Sequence, residues 1–260
     1  MKEAIARSFS RAARTYDQHA DVQRESSRIL MAELADGSFR RVLEIGCGTG
    51  IHTASLLAAF PDARIRAVDI APAMIEAARE KLGACGRVTF AVADGEAIAD
   101  QLPGRFDLIT ANGTFQWFSH LSRALSSLGQ ILDPGGWIHF SLFGRHTLRE
   151  LQDVLSVILP GEPAISAASF PDSAEVTQIL HTVFGEAKVK DVSIERSHPD
   201  LLGLLRSLKL TGVVPGPARM RLQPNLLGHL DKVYRRRWGG IRATYRVLVC
   251  SARHREKMGS

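Results

Sequence analysis

Cysteine is scarce: Cys47, Cys85 and Cys250 are the only three in 260 residues. Their wide spacing offers neither a C-x-x-C metal pair nor a disulfide framework, so no metal is expected and a reducing cytoplasm is the expected location. No apolar run reaches the roughly 18–20 residues of a membrane span, and no membrane partner is expected. Met1 to Arg14 carries charges throughout, without the hydrophobic block of a secretory signal. Aromatics make up 7% and fall at core-like positions. A nucleic-acid surface would interleave exposed aromatics with basic residues, so no nucleic acid is expected. Repeats and low-complexity segments are missing, and a monomer is expected. Charge is the one imbalance: 33 Lys and Arg against 27 Asp and Glu give +6. That fits an acidic partner or simply a solvated basic surface.

What is present centres on Arg41-Val-Leu-Glu44-Ile-Gly46-Cys47-Gly48-Thr-Gly50. Val42, Leu43 and Ile45 read as a short buried strand, and Ile51 to Phe60 as the helix that follows. Glycines between them let backbone approach a ligand that any Cβ would block. The spacing is G-x-G-x-G, not the G-x-G-x-x-G of dinucleotide binders, and Glu44 stands two residues before the first glycine. This resembles motif I of class I S-adenosylmethionine methyltransferases. The resemblance implies that Glu44 meets the cofactor's amino group and that Gly46, Cys47, Gly48 and Gly50 form the loop beneath its methionine and ribose portions.

A second strand, Arg64 to Asp69, ends in a carboxylate some twenty residues beyond the glycines. An acid there can accept from both ribose hydroxyls of an adenosine, although such residues also serve as caps and turns. Ile70 follows, placed to lie on adenine; Pro72 opens a helix whose inward face includes Met74, also assigned to the cofactor site. A third strand, Arg87 to Val92, leads into Ala93-Asp94-Gly95, similar to the methyltransferase site for the adenine amino group; Asp94 also suits a helix N-cap. A fourth strand, Phe106 to Asn112, runs into Gln116, Trp117 and Phe118. Ligands collect beyond the carboxyl ends of an open α/β sheet, which places Asn112, Gln116 and Trp117 beside the reactive end of the cofactor. Trp117 and Phe118 read equally as core. Asp133-Pro-Gly-Gly136 then reads as a helix stop before a fifth strand, Trp137 to Leu142.

The alternation predicts an α/β fold with a doubly wound, Rossmann-like sheet. Residues 1–36 read as an N-terminal helical cap, 37–195 as the cofactor-binding core, 196–243 as a helical substrate lid inserted before the last strand, and 244–260 as that strand and a tail. A helix is expected over Thr147 to Leu159, closed by Pro160 to Pro163, and a strand over Ala187 to Ile194. In the lid, Leu201, Leu204, Leu205 and Leu208 form an apolar stripe with Arg206 and Lys209 adjacent on the helix surface. Val213 to Pro217 reads as a loop, Asn225 to Arg236 as a basic helix, and Thr244 to Cys250 as the final strand.

Three stretches narrow the resemblance. Phe9 to Gln23 is similar to the F-x-R-A-A-x-x-Y-D/E-x-H-A-x-x-Q opening of the malonyl-acyl-carrier-protein O-methyltransferases of biotin synthesis. Arg206-Ser-Leu-Lys209-x-x-Gly212 resembles their lid helix, and Phe143-Gly144-x-x-Thr147-Leu-Arg-Glu-Leu151 is also similar. Val213-Val-Pro215 and Phe118-Ser-His120 depart from the family pattern. The resemblance implies methyl transfer from S-adenosylmethionine to the free carboxylate of a malonyl thioester on acyl-carrier protein.

That carboxylate is already ionised at neutral pH, so the reaction needs no general base, only alignment and exclusion of water. Desolvating it calls for a cation. Arg206 is the candidate, with Lys209 assisting or touching the carrier arm; pairing with surface acids is the alternative for Arg206. Tyr16 is assigned to the substrate carboxylate or to closing the cap over the cofactor, the alternative being a solvated bend. Arg235-Arg236-Arg237, with Arg219 and Arg221, forms a docking patch for the acidic carrier or else plain solvated surface. Two other readings stay open: methylation of a free small acid of aconitate type, and a non-catalytic module that binds the cofactor or the carrier.

Overall fold

The computed structural model describes residues 2–34, 37–102, 104–158, 165–212 and 224–254. Two helices, α1 (Lys2–His19) and α2 (Asp21–Ala32), precede the first strand, β1 (Arg41–Ile45). Then follow α3 (Ile51–Ala59), β2 (Arg64–Asp69), α4 (Pro72–Leu82), β3 (Val88–Val92), β4 (Phe106–Asn112), α5 (Leu121–Gln130) and β5 (Leu132–Phe143). The rest comprises α6 (Arg149–Ile158), α7 (Ser173–Phe184), β6 (Ala187–His198), α8 (Leu201–Leu210), α9 (Pro224–Trp238) and β7 (Ile241–Arg253).

The sheet order is β3-β2-β1-β4-β5-β7-β6. The first five strands are parallel, and β7 enters antiparallel between β5 and β6. β1 is buried on both faces from Val42 to Ile45, as its apolar residues Val42, Leu43 and Ile45 require, with Glu44 carried in among them. Its Val42 joins Leu56, Leu57 and Ile75 of α3 and α4 on one side. Its Leu43 and Ile45 join Leu125, Leu128, Val176 and Leu180 of α5 and α7 on the other. Fully burying each such side chain is worth roughly 1.5–3 kcal/mol, so the two faces together hold β1 in register. A third cluster, with Leu201, Leu204, Leu208, Leu230 and Tyr234, binds α8 and α9 onto β6 and β7. β1 and β4 lie side by side while their connections run to opposite sides, and the crevice beyond their carboxyl ends is where this fold places ligands.

The structure amends several element boundaries. The Asp133-to-Gly136 segment is not a gap before the fifth strand but lies inside β5. Pairing jumps from Phe106↔Leu132 to Leu108↔Trp137, so the proline, which has no N–H to donate, sits where the ladder is interrupted. α6 begins at Arg149 rather than Thr147, because His146 and Leu148 adopt positive φ values of 71° and 58°. β6 and β7 run further than expected and pair from Ala187↔Ala252 to His198↔Ile241. Arg196 and Ala243, read as the lid's limits, are therefore strand residues. The expected loops at 160–163 and 213–217, together with Arg219 and Arg221, lie outside the described residues. Among the described residues no helix is long and apolar enough to cross a membrane.

Candidate functional site

Two cavities adjoin at the carboxyl end of the sheet. The smaller, about 90 Å³, is lined by the glycine loop, the ends of β2 and β4, the turn after β3 and the inner face of α1. The larger, about 460 Å³, lies under α8. Trp117 lines both. Phe9 of α1 meets its ring edge-on at 6.1 Å, and Phe170 does so at 5.2 Å.

The glycine loop is pinned to β2 by Gly46 N–H and Cys47 N–H, which donate to the Val68 carbonyl at 2.7 and 3.0 Å. Gly46 has φ +72°, and a Cβ there would fall 2.1 Å from Thr114 Oγ1. Gly48 has φ +54° and nothing within 4 Å of where its Cβ would stand. One glycine thus serves the protein's own packing, and the other leaves space over the loop.

Asp69 closes this loop. One carboxylate oxygen accepts from Gly48 N–H at 2.9 Å and the other from Ala71 N–H at 2.8 Å. Burial raises the Asp69 carboxyl from its ordinary value, and backbone N–H groups of Ala71, Gly48 and Ile70 pull it back. Glu44 lies behind the loop, 1% exposed, with Oε2 making no hydrogen bond among the described residues. Burial, reinforced by the Asp69 charge, pushes its carboxyl up to about 8, with Thr53 opposing.

Asn112 closes the other side. Its Oδ1 accepts from Ser26 Oγ at 2.8 Å and Ser141 Oγ at 2.7 Å, and its Nδ2 donates to the Gln23 carbonyl at 3.0 Å. Three elements, α2, β4 and β5, are joined through this one side chain.

α1 roofs the smaller cavity. Lys2 reaches Asp94 at 2.7 Å and Glu96 at 2.6 Å. Asp17 accepts from Thr49 Oγ1 at 2.5 Å, in the glycine loop, and pairs with Lys81 of α4. Tyr16 lines the cavity. Burial, with the Asp69 and Asp17 charges adding, raises its hydroxyl well above the ordinary tyrosine value, so it stays a neutral donor. α1 also grips α8: Ser8 Oγ donates to the Gly212 carbonyl at 3.0 Å and Thr15 Oγ1 to the Leu210 carbonyl at 3.3 Å.

Of the residues that the sequence proposes for the cofactor, Gly46, Gly48, Asp69, Ile70, Met74, Asp94, Gly95, Asn112 and Trp117 line the smaller cavity. Phe118 lines it as well. Glu44, Cys47, Gly50 and Gln116 do not. Cys47 is buried, and Gly50 supplies the left-handed residue before α3. Gln116 is turned inward, donating to the Gly113 carbonyl at 2.7 Å and accepting from Phe143 N–H at 3.4 Å. It braces the wall instead of facing the cavity.

Arg206 lines the larger cavity, is exposed, and makes no ion pair among the described residues, whereas Arg196, in the same wall, is held by Glu25 at 2.5 Å. Lys209 is exposed outside the lining. Of the basic run in α9, Arg235 pairs with Asp231 at 2.6 Å and Arg237 pairs with Asp153, which leaves Arg236 without an ion pair among the described residues. Lys2 and the Ser26–Ser141 clamp carry no sequence signal; Asp17 stands within the opening motif but has no role assigned there. Among the described residues no three His, Cys, Asp or Glu side chains gather as metal ligands would.

Residues 43–138 match the family described as a methyltransferase domain. Malonyl-acyl-carrier-protein O-methyltransferase 1 of Ilyobacter polytropus is 35% identical over 92% of this chain and 88% of its own. The malonyl-acyl-carrier-protein O-methyltransferase of Acetivibrio thermocellus is 32% identical over 97% of this chain and 94% of its own. Among solved structures, the YcgJ protein of Bacillus subtilis superposes with a TM-score of 0.62 at 16% identity, over 88% of this chain and 98% of that one. Phosphoethanolamine N-methyltransferase 2 of Haemonchus contortus, solved with S-adenosylhomocysteine, gives 0.54 at 16% identity over 89% and 52%. These two establish the fold.

Proposed function

The chain belongs to the malonyl-acyl-carrier-protein O-methyltransferase family, and we propose that it methylates the free carboxylate of a malonyl thioester on acyl-carrier protein, using S-adenosylmethionine, early in biotin synthesis. The observation that carries this reading is Arg206: a cation free of ion pairs among the described residues, lining a cavity that shares the Trp117 wall with the glycine-loop cavity.

The groups around and behind the smaller cavity suit an adenosyl amino acid once the cavity widens. Gly48 leaves space over the loop, Asp69 has lone pairs beyond its two backbone bonds, and the buried Glu44 Oε2 lacks a donor that an ammonium would supply. When bound, S-adenosylmethionine supplies a methyl group on a sulfonium sulfur. Transfer of that methyl to a carboxylate oxygen would form one O–C bond for the C–S bond lost, with the electron pair left on sulfur. The protein's part is positioning. Arg206 would hold the carboxylate by one edge, offsetting its desolvation and leaving a lone pair free. Tyr16, neutral and half-buried, would donate from the cofactor side. Lys209 and Arg236, exposed and free of ion pairs among the described residues, would meet the acidic carrier, and their effect should fall on encounter rate more than on affinity. We also propose that the protein acts as a cytoplasmic monomer without a metal.

The deciding experiment is methyl transfer from labelled S-adenosylmethionine to malonyl-carrier protein, malonyl-CoA and free small diacids, with products identified by mass. A methyl ester formed chiefly on the carrier supports the proposal. A preference for a free acid, or cofactor binding without turnover, overturns it.

A further inference from the structure

Gln23 is the last residue of the opening motif and has no part in the scheme above. It stands in the first turn of α2 and lines the larger cavity. Its side chain makes no hydrogen bond among the described residues, and its Oε1 is buried. A buried amide oxygen left without a donor is costly, so a site that keeps one usually reserves it for a ligand or a water. His198 Nε2, in the same cavity wall, is also buried and unpartnered among the described residues. The difference between them is attachment. The backbone carbonyl of Gln23 accepts from Asn112 Nδ2 at 3.0 Å, and Asn112 lines the smaller cavity, fixed by Ser26 and Ser141. Gln23 is thus held at a set position relative to the cofactor cavity while its side chain stays uncommitted.

We propose that Gln23 is a substrate-binding residue whose side-chain amide donates to the carboxylate that receives the methyl group, deepening the carboxylate-methylation reading on which it rests. With no partner fixing which end is nitrogen, the amide can turn its N–H₂ toward a ligand. A neutral donor suits this position. It orients one oxygen of the carboxylate without adding a second charge, so less basicity is taken from the attacking oxygen than a second cation would take. It also does not hold the uncharged ester as it holds the anion.

The test compares wild type, Gln23→Leu and Gln23→Glu on whichever carboxylate of the panel the wild type methylates best, from pH 5.5 to 8.5, with S-adenosylmethionine affinity measured alongside. Gln23→Leu should lower kcat/KM about 10- to 100-fold, the range for a hydrogen bond to a charged group, with cofactor affinity within about twofold. Gln23→Glu should be worse still at pH 8.5, where two carboxylates meet, and should regain activity relative to wild type toward pH 5.5, where a protonated Glu can donate. Unchanged kcat/KM in Gln23→Leu overturns the proposal. So does a parallel loss of cofactor affinity, which would mark a structural role through Asn112, and so does a Gln23→Glu profile parallel to wild type. If the wild type methylates no carboxylate, the functional reading itself has failed and this inference fails with it.

Discussion

Lys2 and Asp94, 92 positions apart in sequence, meet at 2.7 Å, so the first turn of α1 is tied to the turn after β3. Both side chains are about one-third exposed, and an ion pair of that kind contributes little, of order 1 kcal/mol or less. Lys2→Ala is therefore expected to raise the S-adenosylmethionine dissociation rate only about two- to fivefold, with the gap from wild type closing at high salt. Stopped-flow displacement at two ionic strengths checks this.

Glu44 carries a pH signature. Its carboxyl is raised from 4.5 to about 8, so the folded state holds a proton that the unfolded state has lost between those values. Its contribution to stability is complete below pH 4.5 and is lost as pH rises through about 8. In the cofactor-free protein, Glu44→Gln should raise Tm more at pH 8.5 than at pH 5. An ammonium brought to Glu44 reverses the preference, so cofactor binding at pH 7 should release up to about one proton in the wild type and none from this site in Glu44→Gln. Calorimetry in two buffers of different ionisation enthalpy measures it.

Gly46 and Gly48 should respond differently to alanine. At Gly46 the new Cβ would stand 2.1 Å from Thr114 Oγ1, so Gly46→Ala should lower Tm sharply and abolish cofactor binding as a consequence. At Gly48 the space is open, and only the positive φ opposes the change, at about 1–2 kcal/mol. Gly48→Ala should stay folded yet bind S-adenosylmethionine at least about tenfold more weakly, since the methyl occupies room meant for ligand. Thermal melts paired with titration separate the two effects.

Arg206→Ala should reduce kcat/KM on the malonyl carrier about 100-fold, the scale of a lost charge-assisted contact, with cofactor affinity nearly unchanged. Tyr16→Phe should lose less, about tenfold. Because burial keeps the Tyr16 hydroxyl protonated, the wild-type rate should show no tyrosine ionisation up to pH 10. A limb in that range that disappears in Tyr16→Phe would overturn the assignment of Tyr16 as a permanently neutral donor; no loss of kcat/KM in Tyr16→Phe would remove it from the site.

Much of this was legible in the chain because local pattern and tertiary role coincide there. Val42-Leu43-Glu44-Ile45 is too apolar for any place but the sheet centre, and the glycines after it have few uses. Asp69 and Asp94 follow by spacing along the strand ends. For Gln116 the sheet rule locates the segment and not the side chain, whose amide is held here by the backbone groups of Gly113 and Phe143. The Asp133-to-Gly136 segment misled because proline and glycine signal a break in pairing, which here falls inside a continuing strand. Lys2 and the Ser26–Asn112–Ser141 clamp were out of reach, since contacts across 29 to 115 positions leave no local periodicity.

The roof formed by α1 sets an order of events. A cavity of about 90 Å³ is well below the roughly 300 Å³ where small-molecule sites begin, so its walls must move apart to hold a nucleoside, and a lift of α1 is taken as that movement. Lifting it breaks the Ser8 and Thr15 bonds to the end of α8, which walls the other cavity. An acyl group that steadied α8 would thereby oppose the lifting of α1. Turnover should be sequential, with the nucleoside first on and last off, and the demethylated nucleoside should inhibit by competing with its methylated form, not with the acyl carrier.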